Sequence, residues 1–212
     1  LLIITTSSGR PVWRRALKDW SPFARTAQLV DTKNPYDRKN QSAIVSWGAI
    51  TNPAVRAQLL REKWDAVIPD EAHFGKNFSA KRTQALYGVL TDGGKWLDNN
   101  HALAAAQPYI CPQTGTPYPN SPFDIYPMLR ALRPHCLAAG NGAPDVTKEQ
   151  DFLHRYCVVR MKKISAFNRI PVIIGGKNED ELRGRVGDFL LQRTQADVGI
   201  REPIYEIMPV LG

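Results

Sequence analysis

Cysteine is scarce in this chain of 212 residues: Cys111, Cys136 and Cys157 are odd in number, widely spaced and without a Cys-x-x-Cys pair. That argues against a disulfide framework and a zinc site, and fits a reducing compartment inside the cell. Long apolar runs are missing as well; none approaches the ~20 residues a membrane span needs. The opening stretch LLIITTSSGR lacks the charged n-region of a signal peptide. There is no internal repeat and no low-complexity tract, so disordered, collagen-like and coiled-coil classes drop out. Acidic residues are the minority: 28 Lys and Arg against 20 Asp and Glu leave a formal charge of +8, with a pI near 9.5. A polyanionic partner fits that surplus better than an acidic or neutral one. With 43% hydrophobic residues, the length suits one domain with a real core.

Short apolar runs alternate with longer amphipathic ones, the pattern of an α/β domain. Strands are expected at Leu1 to Thr6, Ala43 to Trp47, Asp65 to Ile68 and Tyr109 to Cys111. Apolar on both faces, they suit a parallel sheet covered by helices. After the first run, Val12, Trp13, Ala16, Leu17 and Trp20 fall on one helical face, which reads as core. Small polar or acidic residues follow the strands at their C-terminal ends, where open α/β sheets bind ligands. One site is therefore expected from several loops: Thr5 to Ser8, Ser46, Asp70 with Glu71, and Thr114 to Thr116.

The second half reads differently. RPHCLAAGNGAP, from Arg133 to Pro144, is loop-like. Thr147 with Gln150 has the spacing of a capping box before a helix carrying Phe152, Leu153, Tyr156 and Cys157. Asn178 with Glu181 repeats the signal before Leu182, Val186, Phe189 and Leu190. Pro171 to Gly176 reads as a strand or a buried loop, and Ile204 to Val210 as a last strand.

The strongest local signal is WDAVIPDEAHFGKN, Trp64 to Asn77, where Asp70 and Glu71 follow directly on a buried strand. Hydrolysis of a nucleoside triphosphate needs one carboxylate to hold Mg2+, usually through water, and another to polarise the attacking water. An isolated Asp-Glu pair is most often a solvated loop; the strand before it and the basic segment after it reverse those odds. No His–Cys spacing matches a metal site, and no partner can be named for a Cys–His nucleophile. The basic clusters Lys76, Lys81, Arg82 and Arg160, Lys162, Lys163 each read more readily as solvated surface than as DNA contact.

DEAH at Asp70 to His73 resembles motif II of the SNF2-type helicase-like ATPases of superfamily 2. LLIITTSSGRPVWRRALKDW is similar to their motif Ia, IVSWGAI to motif Ib, and TGTPYPNSPFDIYPMLRALRP to motif III with its following helix. FLHRYC and GGKNEDELRGRVGDFLLQRTQADV resemble the stretch after motif III, with its Arg-rich element near Gln192 to Val198. The likeness covers nearly the whole chain and is nearest to compact bacterial, phage or annealing-helicase-like members. It implies a three-layer RecA-like P-loop NTPase lobe with a mainly parallel sheet, residues 1–134, and a helical extension over 135–212. It also implies Asp70 as the Mg2+ carboxylate (through water) and Glu71 as general base. His73, Thr114, Gly115 and Thr116 would couple nucleotide to DNA, and Thr6, Ser7, Ser8 and Ser46 would contact DNA phosphates. Pro69 and Gln192 depart from the family pattern, which puts a role for the Gln192–Arg193 pair in doubt.

The family's phosphate-cradling loop, G-x-x-x-x-G-K-[ST], should precede motif Ia. The nearest match, GVLTDGGKW at Gly88 to Trp96, has its lysine one place late and a tryptophan in place of the hydroxyl residue. The expectation is a fragment of a DNA-dependent ATPase or translocase, with ATP, Mg2+ and double-stranded DNA as ligands of the intact protein. The P-loop segment and a second RecA-like lobe would complete it, and this piece alone would not turn over ATP. It would work in the cytoplasm, on the nucleoid if bacterial, or in the nucleus if eukaryotic, with no membrane partner. The alternatives are a non-catalytic nucleic-acid-binding module of the same fold and a protein-interaction scaffold.

Overall fold

Burial along the first strand sets the architecture. In β1 (Leu2–Thr5) every side chain is buried, and successive residues point to opposite faces. Leu2 and Ile4 join one apolar cluster with Ala43, Val45 and Val67. Ile3 packs on the other side with Ile44, Leu17 and the partly buried Trp13 and Ile68. A sheet that is apolar on both faces must carry a layer on each.

The computed structural model describes residues 1–22, 26–88, 102–104, 107–140, 142–165, 168–193, 197 and 199. Within them, β1, β2 (Ala27–Val30), β3 (Ser42–Ser46), β4 (Ala66–Pro69) and β5 (Tyr109–Ile110) form a parallel sheet in the order β2-β3-β1-β4-β5. α1 (Gly9–Trp20) covers the Ile3 face through Leu17. α2 (Pro53–Leu60) and α3 (Lys81–Tyr87) cover the other through Val55, Leu59, Ala85 and Leu86. Three layers result, the RecA-like arrangement expected. Thr5 stands level with Ser46, and Ile4 with Pro69, so three strands end on one line. β2 and β3 lie to one side of β1, and β4 and β5 to the other. The topological switch therefore falls between β1 and β4, at Thr5 and Asp70.

In the second half come α4 (Tyr126–Leu132), α5 (Glu149–Tyr156), an antiparallel hairpin of β6 (Cys157–Lys163) and β7 (Arg169–Gly176), and α6 (Glu179–Val186). An aromatic stack binds these helices together. Tyr126 and Phe152 lie 4.8 Å apart between ring centres, as do Phe152 and Tyr156. All three belong to the cluster that contains Leu2, so both halves share one core. Glu181 of α6 locks the join: it accepts hydrogen bonds from Arg155 and, at 2.7 Å, from the Tyr156 hydroxyl. Arg185, one helical turn on, donates to the carbonyls of Cys136, Ala138 and Pro144. The Arg155 guanidinium, the Tyr156 hydroxyl and nearby Arg185 hold the Glu181 carboxyl down to about 2.

Several expectations change. β2 has no counterpart in the sequence reading, because AQLV is too short and too mixed to signal a strand. Of the expected apolar helix face, Leu17 is buried, whereas Val12 is 66% and Trp20 86% exposed. The Thr147 box does not form: its hydroxyl bonds Asp145, and α5 starts after Lys148 with no side-chain cap. Asn178 does not cap α6 with its side chain either, and Glu181 turns to Arg155 instead. Pro171 to Gly176 is strand, half of an exposed hairpin rather than a buried element, so the extension is not purely helical. Ile204 to Val210 lies outside the described residues, as do 89–101 and 194–196.

Candidate functional site

β4 ends at Pro69, and the next residue is fixed from three directions. The Asp70 amide donates to Ile4 of β1 at 2.8 Å, and Asp70 also bridges Gln113 in parallel register. Its carboxylate Oδ2 accepts the Thr5 hydroxyl at 2.6 Å and the Trp13 indole N–H at 2.8 Å. Oδ1 accepts the Glu71 amide at 3.0 Å. The Asp70 carbonyl accepts the Trp47 indole at 2.8 Å. Gly9 makes this possible, since a Cβ there would lie 2.4 Å from the Thr5 hydroxyl.

Glu71 then turns the chain with φ 52° and ψ 50°, a left-handed conformation that costs an ordinary residue ~1 kcal/mol. Its side chain, 44% exposed, reaches His73: Oε2 lies 3.2 Å from Nδ1. The same Nδ1 lies 3.0 Å from the Thr114 hydroxyl, whose oxygen in turn accepts the Thr116 amide at 3.1 Å. The backbone repeats the link, with the Ala72 amide donating to Gln113 at 2.8 Å. Asp70, Glu71, His73, Thr114 and Thr116 thus form one path from β4 to the loop after β5, joined by hydrogen bonds and by the Glu71–His73 contact. Gly115 is exposed, and a Cβ on it would meet nothing within 4 Å, so packing does not require glycine there.

The hydroxyl residues gather beside this path. Thr6 Oγ1 accepts the Gly9 amide at 3.0 Å and lies 3.2 Å from Ser8 Oγ. Buried Ser46 accepts the Ala49 amide at 3.1 Å. A groove of about 450 Å3 opens there, lined by Thr6, Ser7, Ser46, Gly48, Lys81 and Arg82, among others. Exposed Ser8 is not part of that lining. Arg82 is held in place by the Phe74 carbonyl at 2.7 Å and by the Phe74 ring, while Lys76 is drawn away to Asp124 at 3.7 Å. A second cavity of about 870 Å3 runs beside β5 past Gln113 and Thr114. Asp70 and Glu71 line neither.

The donor set decides how a divalent cation fits. A carboxylate has about four acceptor sites; three of Asp70's are occupied, leaving one on Oδ1. That suits a carboxylate holding Mg2+ through water and not direct ligation by both oxygens. Among the described residues no three His, Cys, Asp or Glu side chains cluster as a metal site, so other ligands must come from elsewhere.

Sequence reasoning missed the roles of Trp13, Trp47 and Gly9. An indole N–H that is taken from water needs an acceptor, so two tryptophans beside a strand-end Asp were the available signal. The Gln192–Arg193 pair is exposed, and Arg193 bonds only the Gln192 carbonyl among the described residues.

No family model matches the chain. The human DNA annealing helicase and endonuclease ZRANB3 is 23% identical over 206 residues, 93% of this chain and 17% of that protein. Helicase SWR1 of Gibberella zeae is 26% identical over 220 residues, 95% of this chain and 11% of the relative. The chain therefore spans less than a fifth of these curated relatives. Among solved structures, the Sulfolobus solfataricus SWI2/SNF2 ATPase core in complex with dsDNA superposes with a TM-score of 0.62 at 18% identity, over 94% of this chain and 34% of that one. The fold is the mainly parallel three-layer arrangement of a RecA-like lobe, similar to that ATPase core. In sequence the chain is similar to a DNA annealing helicase and to helicase SWR1, and in fold to a SWI2/SNF2 ATPase core.

Proposed function

We propose that this chain is most of the first lobe of a DNA-dependent ATPase that, when intact, hydrolyses ATP to move on or remodel duplex DNA. The carrying observation is the path Asp70–Glu71–His73–Thr114 at the topological switch, with Asp70 fastened beneath it. ATP with Mg2+ supplies the phosphoanhydride and its charge neutralisation when bound. Asp70 would hold Mg2+ through water with its remaining acceptor site. Glu71, exposed and in contact among the described residues with the His73 ring, takes the proton of the attacking water. His73 joins that carboxylate to Thr114, so motif III, with Gly115 and Thr116, registers the state of the nucleotide site.

The groove supports duplex DNA as the partner. Ser46 accepts a backbone amide, which leaves its hydroxyl proton able to turn toward a phosphate, and the Thr6 hydroxyl, shared with Ser8, offers the pair to the same groove. Ser7 and Ser8 are exposed beside them, and Lys81 with Arg82 adds charge on the far wall. β5 is an edge strand among the described residues, with Tyr109 72% exposed, which supports a further strand from a phosphate-loop segment beside it. Residues 1–134 form the catalytic part and 135–212 the extension that leads to a second lobe. No described helix is long and apolar enough to cross a membrane. We place the intact protein in the cytoplasm, on the nucleoid, or in the nucleus if eukaryotic. A phage or bacterial source follows from the likeness to compact members; the relatives named above are human and fungal.

One observation favours a second reading. Asp70 and Glu71 line neither of the two cavities, as befits a lobe that keeps the fold and binds DNA without catalysis. Two measurements decide. Duplex DNA should raise ATP turnover by the intact protein, whose reading frame should encode a lysine-containing glycine loop within a few tens of residues upstream. Loss of that loop, or absence of turnover with DNA binding retained, favours the non-catalytic module; no DNA binding at low salt overturns both.

A further inference from the structure

No residue of the β6–β7 hairpin lines the Thr6–Ser46 groove or joins the strand-end path, and the function above gives it no role. Between Asp151 and Glu179 the sequence has no Asp or Glu, while the two strands carry Arg160, Lys162, Lys163 and Arg169. All four are exposed, and among the described residues none takes part in an ion pair. Register places Lys163 directly opposite Arg169, a like-charge pair that destabilises an isolated ribbon. Arg160 and Lys162 face Val172 and Ile170 on the other side, so both faces are basic. Exposed apolar side chains accompany them: Val158, Val159, Met161, Ile170 and Ile174 are each at least 37% exposed.

The root of the ribbon is firm. Cys157 is buried, the Lys177 amide donates to the Tyr156 carbonyl at 2.9 Å, and the Asn178 side chain donates to the Arg155 carbonyl at 2.8 Å. Gly176 packs so near Pro122 that a Cβ would lie 2.8 Å from its Cγ. Seven paired positions in β6 give a reach of about 23 Å at ~3.3 Å per residue. A two-stranded ribbon of that kind is of a size that the major groove of B-DNA admits.

We infer that the β6–β7 hairpin is a second DNA-contacting element, in which Arg160, Lys162, Lys163 and Arg169 grip the phosphate backbone of a duplex away from the Thr6–Ser46 groove. The inference rests on the DNA-binding reading and adds a partner surface that reading does not contain. A polyanion relieves the Lys163–Arg169 repulsion, which an apolar protein partner leaves in place; that is why nucleic acid is favoured over a protein here.

The test measures binding of a fluorescent 20-base-pair duplex by anisotropy across a salt series, for the 212-residue chain and for R160Q/K162Q/K163Q/R169Q. If all four cations touch phosphate, the slope of log K against log[salt] falls by about 3–4, and affinity at ~0.1 M salt drops at least tenfold. Unchanged slope and affinity in the variant overturn the inference while leaving DNA binding by the lobe intact, and would leave the exposed apolar face to a protein partner. No binding by the unsubstituted chain removes both. Acetylation footprinting of Lys162 and Lys163 needs no variant: duplex DNA should protect them several-fold, and equal labelling with and without DNA counts against the hairpin.

Discussion

The end of β4 and the β6–β7 hairpin treat charge in opposite ways. Asp70 is a single carboxylate with three of its acceptor sites filled by Thr5, Trp13 and the Glu71 amide, at a position fixed by neighbouring strands. The hairpin sets four cations in solvent with no counter-ion among the described residues, two of them directly opposed. A group that must hold one geometry during a reaction gains from neighbours that leave it no other rotamer. Groups that meet a long flexible polyanion gain from reach and from an unspent charge. The contrast teaches where fixed contacts concentrate: in the parallel sheet and its helices, and, for the hairpin among the described residues, at its root.

Stability measurements break or sharpen that comparison most strongly at the aromatic stack. Phe152→Ala, which empties a fully buried position, should cost about 3–5 kcal/mol in denaturant unfolding, whereas Met161→Ala on the hairpin should stay within about 0.5 kcal/mol. Equal losses at the two sites would mean that the hairpin is as tightly packed as the core. Next in size is Gly9→Ala. Alanine normally helps a helix, but here its Cβ meets the Thr5 hydroxyl, so a net loss of about 1–3 kcal/mol is expected in thermal unfolding. A rise in Tm would show that the Thr5–Asp70 contact is soft.

A smaller effect comes from Glu181. Its carboxyl titrates at about 2 in the folded chain, against 4.5 as the ordinary value. The folded state thus binds the proton less readily than the unfolded one. The stabilisation is complete above pH ~4.5 and is lost as pH falls through that value toward 2. With its partial exposure discounted, about 1–2 kcal/mol is at stake. Glu181→Gln should flatten the acid limb of a stability-against-pH curve by that amount; an unchanged acid limb would remove Glu181 from the join between α5 and α6.

Much of the fold was legible because buried parallel strands leave a plain mark. LIIT, SAIVS and AVIP are short, apolar and followed by small polar or acidic residues, and all three fall within a residue or two of expectation. AQLV was not legible: Gln28 is spent on Asn34, Pro35 and Asp37 at the sheet edge, which breaks the apolar signal. Asp70, Glu71 and Thr114 were expected from the strand-end loops and His73 from the family resemblance, yet what fastens Asp70 could not be read from either. Trp13 looks like core from helical periodicity because its apolar ring does pack there, and only the fold shows where its N–H points. The hairpin stayed hidden for a related reason. PVIIGG carries the composition of a buried strand, and no local pattern states that its partner is the basic VVRMKK beside it.

The central claim is that the carboxylates at the end of β4 serve nucleotide hydrolysis, and Glu71→Gln in the intact protein tests it most directly. The account predicts that ATP turnover falls by about 10²–10⁴-fold while nucleotide binding and duplex binding stay near the unsubstituted level. Turnover that survives the substitution would contradict it.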